Sequence, residues 1–97
     1  MRYEKEILTI LGEAAQTGLP LRRIALNVYN MSNTFFTPLE KKDVYADVSE
    51  YLRKMSVYKD APVKKMSKRG WYALNYDSLM VQQLLIDFSE DTESWED

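Results

Sequence analysis

Past Val57 the apolar period of the chain changes from helical to alternating, and this constrains the fold more than any other feature. Residues 62–75 (PVKKMSKRGWYALN) read as strand, tight turn, strand. Val63 to Met66 forms one arm, Ser67 to Gly70 the turn and Trp71 to Leu74 the other arm. In the second arm Tyr72 and Leu74 share one face, Trp71 and Ala73 the other. Two strands alone are only marginally stable in water, so the hairpin must lean on an apolar surface supplied elsewhere.

That surface is helical. Apolar residues at Tyr3, Ile7, Ile10, Leu11 and Ala14, widened by Leu8, follow a 3.6-residue period and predict a helix over 3–15. Gln16-Thr17-Gly18 should end it, glycine taking the left-handed conformation. Leu19 precedes a proline, which steers Leu19-Pro20-Leu21 into an extended form. A second helix over 22–31 places Ile24, Ala25, Val28 and Met31 on one face, with Leu21 just before it. The connector 31–36 follows. Its Phe35 and Phe36 are expected to tuck under the loop, the alternative being an exposed knob for a partner.

Thr37-Pro38-Leu39-Glu40 has the residues of a helix start: a Thr cap, Pro in the first helical position and Glu in the third. The third helix should run to Met55. Val44, Val48, Tyr51, Leu52 and Met55 fall within an arc of about 100° and form its buried side. After the hairpin, Asp77 is expected to cap a last helix through Phe88. Met80, Val81, Leu84, Leu85 and Phe88 form one stripe of it, with Leu79 and Ile86 outside. Tyr51, Trp71 and Tyr72 read as core or hairpin aromatics. Three helices with a strand pair packed at one end make an α+β domain over 1–88, including the helix 77–88. Residues 89–97 (SEDTESWED) form an acidic tail expected to be disordered, with Trp95 its one large apolar group.

Composition narrows the chemistry. Ninety-seven residues hold one domain with a modest core. With no cysteine and no histidine, disulfides, thiol nucleophiles, imidazole bases and the usual zinc sites are excluded. No enzyme activity, metal or cofactor is expected. Acidic pairs such as Asp43/Asp47 and Glu90/Asp91 have no enclosure to shift their pKa values. No apolar run approaches the roughly 20 residues of a membrane span, and the charged start MRYEKE is unlike a secretory signal. A cytoplasmic location without membrane contact is the expectation.

Charge is unevenly distributed. All 13 basic residues lie within positions 1–75 beside eight acids, a local balance of +5. The last 22 residues carry seven acids and no base, a balance of −7. A net charge of −2 hides this polarity.

The stretch Gly18-Leu19-Pro20-Leu21-Arg22-Arg23-Ile24-Ala25, the helix Pro38 to Met55 and the run Lys68-Arg69-Gly70-Trp71-Tyr72-Ala73-Leu74 together resemble the winged helix-turn-helix family. The layout is similar to its HARE-type subgroup, in which Thr-Pro opens the third helix and a Gly-aromatic-x-Leu run closes the hairpin. The likeness spans roughly residues 3–76 and lies in pattern. It implies a three-helix core with a β-hairpin wing, here with an additional C-terminal helix. It also implies binding of double-stranded DNA by the third helix and the wing. The helix would offer Lys41, Lys42, Tyr45, Ser49 and Arg53; the wing would offer Lys64, Lys65, Lys68 and Arg69. The chain departs from the family picture in its acidic balance, its longer connector and the acids Asp43, Asp47 and Glu50 on one flank of the third helix.

Two functions follow as expectations. The first is a small transcriptional regulator or accessory factor bound to DNA. The second is a protein-interaction module on the same fold, working through the last helix and the acidic tail. Leu79 and Ile86 would then serve a homodimer or a protein partner. In a hybrid of the two, the tail folds over the wing and competes with DNA.

Overall fold

In the computed structural model the described residues are 3–86. Phe88, Trp95 and the acidic segment 89–97 lie outside them. The fold is α+β: α1 (Glu4–Ala14), a 3-10 turn (Ala15–Thr17), β1 (Leu19–Pro20), α2 (Leu21–Ser32), α3 (Lys41–Met55), β2 (Val63–Lys65) and β3 (Trp71–Leu74). A further helix, α4, occupies 79–86. No helix among the described residues is long and apolar enough to cross a membrane.

The helical faces pack as their periods require. Ile7, Leu8, Ile10 and Leu11 of α1, Ile24, Ala25 and Val28 of α2, and Val44, Val48, Tyr51 and Leu52 of α3 are all buried. They join Tyr3, Val63, Tyr72, Leu74 and Val81 in one core. Each large aliphatic side chain enclosed there contributes about 1.5–3 kcal/mol. Met31 does not belong to this face and is half exposed. It sits in the last turn of α2; the connector residue Leu39 packs on the core.

Three local expectations need correction. First, glycine is not the first residue to leave the helical conformation after α1: Ala15, which caps α1, already has φ of +55°, while Gly18 closes the following 3-10 turn at φ of +71° as expected. Second, Thr37-Pro38 does not open α3, which starts at Lys41 after an extended Glu40. The Thr37 N–H is already committed: Thr34 and Thr37 exchange backbone hydrogen bonds, and the same N–H reaches Thr34 Oγ1 at 2.9 Å. The Leu39 N–H donates to Asn33 Oδ1 at 2.7 Å, which holds the connector extended up to Glu40. Third, Asp77 does not cap α4. Its N–H donates to Asn75 Oδ1 at 3.1 Å, and the first helical bond runs from the Gln82 N–H to the Ser78 carbonyl. Ser78 therefore holds the cap position, although its buried hydroxyl has no hydrogen-bond partner among the described residues.

The sheet has three strands in the order β1-β3-β2, all antiparallel. Leu19 pairs with Tyr72 and Pro20 with Trp71 on one side of β3; Val63, Lys64 and Lys65 pair with Leu74, Ala73 and Tyr72 on the other. The pair 19–20, expected only to be extended, is thus a third strand. Gly18 allows this approach. A Cβ on it would collide with Met66 Sδ and stand 2.7 Å from the Tyr72 carbonyl oxygen.

Candidate nucleic-acid interface

Hairpin pairing decides where its cations point. Successive strand residues face opposite sides. Val63 is buried in the core, so Lys65 lies on the core side beyond its edge and Lys64 on the outer side; both are exposed. The four wing cations therefore do not share one face. Lys68 and Arg69 occupy the turn, which is closed by the Met66 N–H on the Trp71 carbonyl and the Trp71 N–H on the Lys68 carbonyl. Lys68 Nζ lies 4.6 Å from the centre of the Trp71 ring, an attraction that holds the ammonium over an aromatic face.

The strand pairing also joins two basic segments that sequence reasoning did not connect. Immediately after β1, the Leu21 N–H donates to the Gly70 carbonyl at 2.8 Å. The first turn of α2 is thereby joined to the hairpin turn, with Arg22 and Arg23 on one side of the bond and Lys68 and Arg69 on the other. All four side chains are exposed, and none forms an ion pair among the described residues. The N-terminal N–H groups of α2 add a partial positive charge to the same end. The missed signal was the Gly-x-Pro pattern at 18–20, which marks a short strand able to carry Arg22-Arg23 up to the wing.

On α3 the expected outward residues form a stripe. Taking 100° per residue, Lys41, Lys42, Tyr45, Ser49 and Arg53 span an arc of about 120°. Lys41, Lys42, Tyr45 and Arg53 are exposed, whereas Ser49 is half-buried. Lys41 Nζ stands 5.5 Å from the Tyr29 ring centre and Lys42 Nζ 3.7 Å from Glu40. The stripe is long: Lys41 and Arg53 are separated by about 18 Å along the axis at 1.5 Å per residue. No hydrogen bond or ion pair among the described residues joins it to the hairpin cations. α3 itself packs on α2 and touches β2.

The acidic flank is partly neutralised. Glu50 accepts from Lys54 Nζ at 2.7 Å, and that hydrogen bond, with the charge behind it, holds the Glu50 carboxyl below its usual range. Asp43 and Asp47 have no such ion pair among the described residues. No group of three or more acidic side chains there is placed to share a metal ion.

Leu79 and Ile86, the expected partner contacts, are exposed at 82% and 51% on α4. Phe35 and Phe36 do not tuck under the connector. The hydrogen-bonded turn 34–37 turns them outward, 93% and 90% exposed, with their rings edge to face at 5.5 Å.

Comparison of the chain with protein-family models, with curated proteins and with solved structures gives no match.

Proposed function

We propose that this chain is a winged-helix DNA-binding protein, a small transcriptional regulator or accessory factor. The α2 start and the hairpin turn grip backbone phosphate, and α3 lies toward the base edges. One observation carries the reading: the Leu21–Gly70 hydrogen bond brings the start of α2, with Arg22 and Arg23, up to the turn that carries Lys68 and Arg69, four exposed cations with no ion pair among the described residues. Helix, strand, helix, helix, hairpin is the order such a domain needs, and the β1-β3-β2 sheet supports it. Arginine and lysine at a turn and a helix start suit phosphate, and they position the protein without reading sequence. On α3, Arg53 suits a guanine edge, and Tyr45 and Ser49 flank it.

Fluorescence anisotropy on random duplex DNA tests this. Wild type should bind at low salt, with log K falling steeply against log salt. Arg22→Ala with Arg23→Ala, and separately Lys68→Ala with Arg69→Ala, should each weaken binding on all sequences. Each pair should also flatten the slope by about 0.9 per lost phosphate contact. Arg53→Ala should instead relax preference among sequences, at about 1–3 kcal/mol for a lost guanine contact. A wild type that binds no duplex at low salt overturns the reading.

The exposed Leu79 and Ile86 favour a second reading, a protein-interaction module working through α4. It predicts a protein partner or homodimer lost in Leu79→Glu with Ile86→Glu, and no salt-sensitive DNA binding.

A further inference from the structure

The sheet has an outer face that the core does not use. Register and alternation place Pro20 and Trp71 side by side on it, with Lys64 and Ala73 paired beside them. Met66, just past β2, donates its N–H to the Trp71 carbonyl and so stands across the ring from Pro20. Its Sδ fills the place that a Cβ on Gly18 would take, so the Met66 side chain crosses β3 to reach β1. Trp71 itself is half-buried, yet among the described residues it belongs neither to the core nor to the side chains packed on it. What lies over its ring is a cation, Lys68 Nζ at 4.6 Å from the centre.

The charge around this face has one sign. Residues 14–39 and 61–76, the two segments that the β1–β3 pairing joins, hold six basic residues and no acidic one. The acids that bound them are Glu13, Glu40, Asp60 and Asp77. None of these lies in a strand, in the hairpin turn or in the first turn of α2. An aromatic face set among cations suits an unpaired nucleotide, whose base stacks on the ring while the cations take the backbone. Within an intact duplex only base edges are reachable, from the grooves. An indole therefore finds a base face only where a nucleotide is unpaired.

Building on the DNA reading, which supplies the backbone contacts, we propose that the outer face of the sheet holds an unpaired nucleotide, its base stacked on the Trp71 indole. The phosphate draws Lys68 off the ring, because a phosphate oxygen is a stronger partner for an ammonium than an aromatic face is. The ring thus exchanges a cation for a base. Arg22, Arg23 and Arg69 hold the flanking phosphates, and Pro20 and Met66 border the ring.

Fluorescence of a Trp95→Phe chain tests this, since Trp71 is then the only tryptophan. The probes are an intact DNA duplex, the same duplex with one bulged nucleotide, and the single strand. The bulged duplex should quench Trp71 emission and bind about tenfold tighter than the intact one, the size of one base stack. Trp71→Leu, apolar but without a π face, should abolish that preference, and Trp71→Phe should keep part of it. Circular dichroism matching wild type shows that each variant is folded. The quenching is read with the indole in place and depends on neither. Equal affinity for the intact and the bulged duplex overturns the proposal and leaves the DNA reading standing. So does a preference for the bulge that survives Trp71→Leu. Binding and quenching by the bulged duplex or the single strand, without binding of the intact duplex at low salt, supports the stacking site and overturns the duplex reading instead. No binding of any of the three overturns both.

Discussion

Gly18 and Gly70 both have positive φ, yet their surroundings differ. At Gly70 a Cβ would meet nothing within 4 Å, whereas at Gly18 it would strike the backbone of β3. Gly70→Ala should cost about 1 kcal/mol, the penalty of a left-handed residue alone. Gly18→Ala adds a clash that only a shift of β1 from β3 relieves, and should cost about 3 kcal/mol. Urea denaturation of the two variants measures the difference; equal losses would show that β1 does not need its close approach. At the same scale, a capping pattern is a competition among local hydrogen bonds. Thr37 and Asp77 have the right chemistry to start helices, but Thr34, Asn33 and Asn75 claim the backbone N–H groups around them first. Reading Thr-Pro-x-Glu alone cannot reveal that rivalry, since the winning acceptor Asn33 lies on the far side of the connector.

Elements were legible wherever their signal is periodic and near in sequence. The stripes of α1 and α3, the end of α3 at Met55 and the β2–turn–β3 hairpin follow directly from spacing. The pairing of β1 with β3 is different in kind: two residues have no period, and their partner lies far along the chain. With it went the Arg22–Arg23 cluster, because those arginines gain their place from that pairing. Turning to how the hairpin is anchored, Asn75 directly follows β3 and is buried. Its Nδ2 donates to the Lys59 carbonyl at 3.0 Å and the Ala61 carbonyl at 2.9 Å, tying the α3–β2 loop to the end of the sheet. Asn75→Ala leaves the buried Ala61 carbonyl and the part-buried Lys59 carbonyl without this donor and should cost about 3 kcal/mol. Chemical denaturation checks the value, and amide exchange should show the loss concentrated at residues 59–63.

At the scale of the whole molecule, a side-chain hydrogen bond ties α1 to α3. The Tyr51 hydroxyl of α3 donates to Glu4 Oε2 of α1 at 2.7 Å. Burial first, and then this bond to a carboxylate, push the Tyr51 hydroxyl well above the ordinary tyrosine range. Because the folded value is raised, the stabilisation is complete below the unfolded value of about 10 and is lost as pH climbs from there toward the folded value. Tyr51→Phe should lose about 1–2 kcal/mol at neutral pH. It should also decline less steeply than wild type between about pH 9 and about pH 11. Urea midpoints at several pH values read both effects, and parallel curves for the two proteins would remove Tyr51 from the alkaline response.

The antiparallel match of Leu19 with Tyr72 has a bearing on how the chain comes into being. A ribosome releases residues in order, so the early strand must wait without its mate until Tyr72 clears the exit tunnel. Until then the face of α1 that packs on β3 stands open to solvent. Closure of the sheet therefore waits on residues 71–74, and a chain cut short before Tyr72 cannot pair β1.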